Sequence, residues 1–216
     1  MAYDTYQEFR DAIEMIILGD DVSQNGDGQT SLDTMISMGE SLVHYGGNFS
    51  ADGRRIGPLR TSAMQADLSE TVADNAAAIP ADCMELAILW IDDGEPLEIV
   101  AEKDLRSRLK YFNGGKARKA AQAGESIIFS PRVEDGAVLG GRYYAKPPAL
   151  KDELHSSFQR YPEVYLYAAL YVSAPFYGFD GRAPMWREYL SQLIDQANAQ
   201  ERARVSSGGR MRMVSR

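Results

Sequence analysis

The run of residues with the strongest suggestion of metal chemistry lies between positions 20 and 32, with the sequence DDVSQNGDGQTSL. Asp21, Ser23 and Asn25, followed by Gly26, match the start of an EF-hand loop. Such a loop needs a bidentate Glu at its twelfth position, and in this register that position is Leu32. We therefore interpret the run as a surface turn between two elements.

Other side chains suited to catalysis stand outside any recognised catalytic pattern. His44 and His155 are the only histidines, and neither belongs to a metal-binding or Ser-His-Asp motif, so we interpret both as solvated residues. Asp92 and Asp93 fall in a turn, where Asp favours the backbone geometry. Cys83 is the single cysteine, which excludes an intrachain disulfide, and its expected role is a buried small apolar residue, with a reactive thiol as the alternative. Since no glycine-rich phosphate loop is present either, we expect no enzyme activity, no catalytic or metal-binding residues and no cofactor.

The net charge of −8 is unevenly distributed along the 216 residues. Residues 202–216 contain five arginines and no acidic residue, so residues 1–201 carry −13. An acidic body repels phosphates and anionic lipid surfaces, which argues against nucleic acid or membrane binding as the main task. No apolar run approaches the roughly 18 residues that a bilayer span requires, and the N-terminus lacks a signal-peptide pattern. We expect a protein that folds in a cytosol.

Two basic clusters are candidate binding sites. The first is a set of seven cations among which Tyr111 and Phe112 lie: Lys103, Arg106, Arg108, Lys110, Lys116, Arg118 and Lys119. Basic residues interleaved with aromatic ones suggest nucleic-acid binding with base stacking. Because Glu102 and Asp104 dilute this cluster, pairing with acidic groups of the chain or of a neighbouring subunit is the preferred alternative.

The second cluster is the C-terminal tail, residues 207–216, which we predict to be extended and basic. Its last seven residues, Arg210 to Arg216, begin with alternating arginine and methionine, followed by Val214, Ser215 and Arg216. Such a segment suits a groove that offers apolar pockets and carboxylates, whereas a merely solvated tail is the alternative.

The elements that must position these residues follow from apolar spacing and from helix-capping and turn residues. The capping box at Thr5–Glu8 predicts a helix over 5–18, and a second helix is expected from about Thr30 to Gly46, with Glu40 and His44 on its solvent face. Val164–Val172 is apolar on every side and predicts a buried helix that begins at Pro162. A last helix is expected from near Asp180, and its polar sequence past Ala197 predicts that it projects beyond the core.

Between the second and the buried helix the period changes to that of strands. Alternation over 64–69, the segments Met84–Ile91 and Leu97–Val100 around an Asp93-Gly94 turn, Ser126–Ser130 and Val138–Ala145 predict strands, the second and third as a hairpin. A short helix is expected over about 101–112. We therefore predict an α+β, mainly α fold: a helical bundle with an inserted small antiparallel β module and an extended C-terminal tail. The predicted division is 1–47 helical core, 48–58 exposed loop, 59–148 inserted module, 149–206 second part of the helical core and 207–216 tail.

Several short segments, in order, resemble one family of proteins. They are Ile79-Pro80-Ala81-Asp82 with Glu85-Leu86, Pro96-Leu97-Glu98 with Val100, Tyr143 to Leu150 (YYAKPPAL), Pro162 to Leu170 (PEVYLYAAL), Ala174-Pro175-Phe176, and Trp186 through Ala203. Their order and spacing, over most of residues 3–206, are similar to the tailed-phage adaptor (connector) proteins that join the portal to the tail. The loop at 46–58 departs from that pattern and is a candidate contact specific to this assembly.

The resemblance implies a structural protein of the virion neck that is present in the host cytoplasm during assembly. It implies a homo-oligomeric ring of twelve subunits bound beneath the portal protein, with tail or neck proteins attached to it and double-stranded DNA passing through its channel without specific binding. On this interpretation the portal-binding residues are Arg202, Arg204, Arg210, Met211, Arg212, Met213, Val214 and Arg216. The candidate contacts to a second subunit or to the tail are Arg54, Arg55, Lys103, Arg106 and Lys110. A nucleic-acid-binding regulatory protein that uses residues 103–119 is the alternative function.

Overall fold

The structure is a computed structural model that describes residues 3–18, 28–47, 55–109, 116–177 and 181–207. The chain divides into two compact units. The helical unit comprises Met1–Ala63 and Pro147–Arg216, and the strand unit comprises Met64–Lys146. Within the described ranges, no helix combines the length and the apolar character needed to cross a bilayer.

Five helices form the described part of the helical unit: α1 (Tyr6–Leu18), α2 (Gly28–Tyr45), α4 (Ser156–Arg160), α5 (Pro162–Tyr177) and α6 (Ala183–Ser207). The capping box predicted for α1 is present, since the Glu8 backbone N–H donates to Thr5 Oγ1 at 3.2 Å and the Glu8 carboxylate accepts from the Asp4 N–H at 2.9 Å. Helix α2 ends where predicted, at Gly46, whose φ of 67° is the left-handed conformation typical of a helix terminus.

Helix α5 is the centre of the helical unit. Ten of its side chains are buried, among them Tyr165 and Leu170, which confirms the prediction from its apolar sequence. Helix α2 packs closely against α5. The helices are so close at Gly39 that an added Cβ would lie 2.8 Å from the backbone nitrogen of Ala169. This contact explains why a glycine, unfavourable inside a helix, occupies the middle of α2.

The strand unit contains two sheets. One has the order β1-β7-β3, formed by Gln65–Thr71, Val138–Ala145 and Cys83–Ile91. The other has the order β2-β6-β5-β4, formed by Ala76–Ala78, Ser126–Ser130, Lys119–Ala123 and Glu98–Ile99. Helix α3 (Glu102–Leu109) follows β4. The unit has a hydrophobic core of its own, which includes Leu89, Phe129 and Leu139.

The prediction of a mainly α fold is wrong, because seven described strands in two sheets surround a separate core and make the chain α+β without a clear helical majority. The hairpin prediction is also wrong. Strand β3 pairs with β7, whereas β4 pairs in parallel with β5 in the other sheet, so the module is not wholly antiparallel. A backbone hydrogen bond from the N–H of Leu97 to the carbonyl oxygen of Leu89, 2.7 Å long, is the part of the expected pairing that forms. The chain then leaves the first sheet, and β4 pairs with β5 at the edge of the second sheet.

Two predictions about solvent exposure in the helical unit are wrong, and a third, for the loop over 48–58, fails at Ile56. Glu40 and His44 were assigned to the solvent face of α2 but are 8% and 3% exposed. Glu40 is accommodated because its carboxylate accepts the backbone N–H of Leu150 at 2.6 Å. In the loop predicted to be exposed over 48–58, Ile56 is buried and forms an isolated bridge with Gly47. Helix α6 does not leave the core at Ala197, since Glu201 is 4% exposed.

Candidate interaction sites

The two histidines lie in the core of the helical unit, so their interpretation as solvated residues is wrong. His44 Nε2 lies 3.4 Å from the hydroxyl of Tyr165, and the ring of His155 packs edge-on against the same tyrosine, with the ring centres 5.6 Å apart. No local sequence pattern predicts this cluster. The cluster depends on the packing of three separate helices and their flanking residues.

His155 has a structural role at the start of α4. As the N-cap, its Nδ1 accepts the backbone N–H of Phe158 at 3.2 Å, which replaces a hydrogen bond that the first turn lacks. Its Nε2 is buried and has no hydrogen-bond partner among the described residues. Burial lowers the pKa of His155 to about 4, so this ring is neutral at pH 7.

Asp92 and Asp93 form the turn after β3, as their sequence position predicts. Both adopt positive φ values, 48° and 55°, which Asp tolerates better than most residues. The Asp92 carboxylate accepts the backbone N–H of Val138 at 2.8 Å, so the side chain fixes the turn to β7. Among the described residues, no group of three or more His, Cys, Asp or Glu side chains could hold a metal ion. Residues 21–26 of the calcium-like run lie outside the described ranges.

Glu201 on α6 is a charged group with several partners in the described part of the helical unit. Its carboxylate accepts the backbone N–H of Ser62 at 2.9 Å, Nη1 of Arg160 at 2.7 Å and the hydroxyl of Tyr161 at 3.0 Å. Arg204 Nη1 lies 3.3 Å from the same oxygen as Arg160. This arrangement ties the C-terminal part of α6 to the segments that precede β1 and α5.

The electrostatic environment keeps Glu201 ionised. Burial alone would raise its pKa, but hydrogen bonds from Ser62, Arg160 and Tyr161 outweigh burial and lower the pKa to about 2. The sequence prediction missed this residue because Glu201 stands in a polar stretch. A signal was available: it continues, at helical spacing, the buried face formed by Leu190, Ile194 and Ala197.

The described portal-binding candidates on α6 are Arg202 and Arg204, and both are exposed. Arg204 also donates to Glu201 within its own chain. The other predicted portal-binding residues, Arg210, Met211, Arg212, Met213, Val214 and Arg216, lie outside the described ranges. The anchored carboxylate is nevertheless only a few residues before them in the chain.

The described part of the basic cluster over 103–119 lies on α3, at the start of β5 and in the residues that precede β5. Lys103 and Arg106 are exposed on α3, and Arg106 Nε donates to Glu102 at 2.6 Å. Lys119 Nζ lies 2.6 Å from the carboxylate of Glu98. Lys110 and the aromatic pair at 111–112 lie outside the described ranges. The two described ion pairs support the interpretation that these cations partner acidic groups of the chain.

Of the two arginines predicted to make contacts in the 46–58 loop, Arg55 is exposed, and Arg54 lies outside the described ranges. Arg55 directly precedes the buried Ile56. Its backbone position is therefore tied to the helical core.

An apolar groove of about 600 Å³ lies between α1, α5 and α6. Helices α1 and α6 contribute Met15, Ile16, Tyr189 and Leu193, and α5 contributes Leu166 and Tyr167. Met15 is 67% and Tyr189 46% exposed, which leaves large apolar side chains open to solvent along the groove. Glu163 is the charged residue among the described residues that line it. The sequence signal was the broad apolar arc of α1, which includes Met15 and Ile16 beside the buried Phe9, Ile13 and Ile17.

The family model described as "SU10 adaptor protein" matches residues 4–213 of the chain. No curated protein matches it. The matched range includes both units and the groove, and it extends into the basic C-terminal segment.

Proposed function

Because this chain belongs to the SU10 adaptor protein family, which confirms the resemblance to phage adaptors and indicates a structural role in the virion, we propose that it is the head-to-tail adaptor of a tailed phage. Copies of the chain form a ring of twelve beneath the portal, extend the DNA channel and provide the platform to which tail or neck proteins attach. The observation that carries this proposal is the match of the family model to nearly the whole chain. The ring assembles on the portal in the host cytoplasm.

In this proposal the portal contact is the C-terminal segment Arg210–Arg216. The buried Glu201 supports it, because three donors from two other segments of the helical unit, Ser62 and the pair Arg160 and Tyr161, hold α6 in place before the segment begins. A fixed starting point limits the volume that the segment samples and raises its effective concentration at a nearby groove. Arg202 and Arg204 add exposed positive charge beside this anchor.

Apolar burial must contribute to that contact. Ordering about ten residues costs on the order of 10 kcal/mol of backbone entropy, which surface salt bridges of at most about 1 kcal/mol each do not offset. Burial of Met211, Met213 and Val214 supplies about 1.5 to 3 kcal/mol each. Repetition around the ring adds avidity, because each bound subunit positions the next.

The proposed contacts to a second subunit or to tail proteins are Arg54, Arg55, Lys103, Arg106 and Lys110. The net charge of −8 suits a channel that DNA passes without sticking, since an acidic wall repels phosphates. A ring with a basic lumen would contradict the proposal that the channel wall repels DNA.

Deletion of Arg210–Arg216 tests the proposal. We expect the shortened chain to remain folded and soluble but to be lost from purified portal protein in a mass measurement of the complex. Two matched full-length variants separate the contributions: Met211, Met213 and Val214 changed together to Ser, and Arg210, Arg212 and Arg216 changed together to Gln. We expect the Ser variant to lose portal binding at every salt concentration. For the Gln variant, we expect the loss of affinity relative to the wild type to be largest at low salt, where charge attraction is screened least. Portal binding unchanged by the deletion would remove the proposed contact.

A further inference from the structure

The groove between α1, α5 and α6 leaves apolar side chains in solvent, and the properties of its lining indicate what covers it. The lining is apolar apart from a few amide and hydroxyl groups, and its charged residue, Glu163, is an acid. A matching ligand presents apolar side chains to the groove and positive charge to its rim. An extended segment in which arginine and methionine alternate does both, because successive side chains point in opposite directions.

The chain itself carries such a segment, Arg210 to Val214, with the sequence RMRMV. We propose that the groove of one copy binds residues 210–214 of a second copy of the chain. This inference rests on the proposed function, since it concerns the segment proposed to bind the portal: in free copies the segment joins one copy to the next in one direction, and the portal then displaces it from the groove. It assigns to the same segment a binding site that is distinct from the portal.

The distance along α6 keeps the methionines of the segment away from the groove of the same chain. Gln196 is the groove residue of α6 nearest its C-terminal end, and α6 continues to Ser207, which is about 16 Å further along the helix axis. A chain that doubled back over Gly208 and Gly209 would return by about 3.3 Å per residue, so Met211 would reach about 7 Å, Met213 about 13 Å and Val214 about 16 Å. Only Val214 would reach the near end of the groove, whereas a neighbouring copy has no such restriction and its groove takes the whole segment.

Disulfide trapping between two full-length populations tests this contact. In a Cys83→Ser background, one population carries Gln192→Cys in the groove and the other carries Met213→Cys, with different affinity tags. Gln192 is exposed, so its replacement leaves the core unchanged. The control population carries Ser41→Cys, an exposed position on α2 outside the groove. We expect the mixed disulfide with position 192 to form roughly tenfold faster than that with position 41, owing to the higher local concentration of the docked segment.

A groove variant adds a second test that preserves the fold. Met15→Lys places a cation and removes apolar surface at a side chain that is 67% exposed, and we expect it to slow trapping at position 192 to the rate of the control. Met38→Lys, at an exposed methionine of α2 outside the groove, should leave trapping unchanged. Equal trapping at positions 41 and 192 would overturn the inference. An intrachain disulfide in a Gln192→Cys/Met213→Cys double variant would overturn the assignment to a second copy.

Purified portal protein separates this inference from the proposed function. Because one segment cannot occupy two sites at once, added portal should lower the trapping rate in proportion to the adaptor that it binds. Portal binding without selective trapping at position 192 would refute the groove contact alone. If trapping is selective for position 192 and added portal protein does not lower its rate, the result would support the groove contact and refute the portal contact of residues 210–216.

Discussion

Replacement of Glu201 by Gln should destabilise the helical unit through the loss of one charge. Glutamine has the size and shape of glutamate, so the change creates no cavity. It replaces one carboxylate oxygen with an NH₂ group, which then faces the Ser62 N–H or the Arg160 guanidinium, both of which donate to Glu201. The arginine loses its anionic partner in a site that is 4% exposed to solvent.

The expected loss of stability follows from the pKa of Glu201. Its pKa is about 2 in the folded chain against an ordinary value of 4.5, and a difference of this size corresponds to about 3 kcal/mol of stability at neutral pH. Removal of one partner from a buried ion pair costs about 3 to 5 kcal/mol in other proteins, which agrees with this figure. We therefore expect Glu201→Gln to lower the free energy of unfolding by about 3 kcal/mol at pH 7.

Urea unfolding, followed by the fluorescence of the buried Trp186 in a Trp90→Phe background, measures this change. Because the folded pKa is depressed, the stability that Glu201 contributes is complete above pH 4.5 and is lost as the pH falls towards 2. The wild-type and Gln variant should therefore differ most at pH 5 and above and converge below pH 3. Asp195→Asn, at an exposed carboxylate of the same helix, is the control and should change stability little. A loss below about 1 kcal/mol at pH 7, or an acid dependence below pH 4.5 equal to that of the wild type, would refute the reasoning.

Two further predictions concern the core of the same unit. The pKa of His155, lowered by burial to about 4, means that stability is lost as the pH falls from about 6.5 to 4, because the unfolded chain binds a proton that the folded chain does not. His155→Asn keeps an N-cap acceptor for Phe158 and should abolish that part of the pH dependence. The measurement is the difference between the urea midpoints at pH 7 and pH 4.5. A difference in the variant as large as that in the wild type would contradict the role of His155. Gly39→Ala should destabilise by about 1 to 3 kcal/mol in the same assay, since the added methyl group meets the backbone of Ala169, whereas Gly57→Ala, where a Cβ has no neighbour within 4 Å, is the control. Equal stability of the two alanine variants would show that α2 and α5 separate without cost.

The helices were largely predictable from the sequence because their signals are local. The capping box of α1, the apolar face of α2 and the wholly apolar α5 each indicate a helix through spacing and capping within one segment. Strand existence was predictable in the same way, since β6 and β7 have the predicted bounds. The short β2 and α4 were missed because three and five residues hold too little pattern to distinguish them from loops.

Strand partners and burial of polar residues were not predictable from local pattern. The turn at Asp92-Asp93 has the expected backbone, yet the segment after it joins the other sheet, because the choice of partner depends on β5 and β7, which follow much later in the chain. Glu201 looked like a surface residue because its neighbours in sequence are polar, and His44 did so because helical spacing places it on the face of α2 that carries Asp33, Ser37 and Ser41. Their partners, Ser62, Arg160 and Tyr165, come from distant segments. The hydrogen bonds to those partners compensate for the loss of water when the polar groups are buried.

The sequence by itself determined the family, the positions of the main helices, the acidic body and the alternating arginine and methionine of residues 210–214, because order, spacing and composition are properties of the chain alone. The tertiary structure decided which side chains are available for contact. It buries Glu201 as the anchor of α6, neutralises His155 in the core and leaves Met15 and Tyr189 exposed along one groove. The physical reason is that burial and charge state depend on partners brought together from distant parts of the chain, and no local pattern specifies those partners.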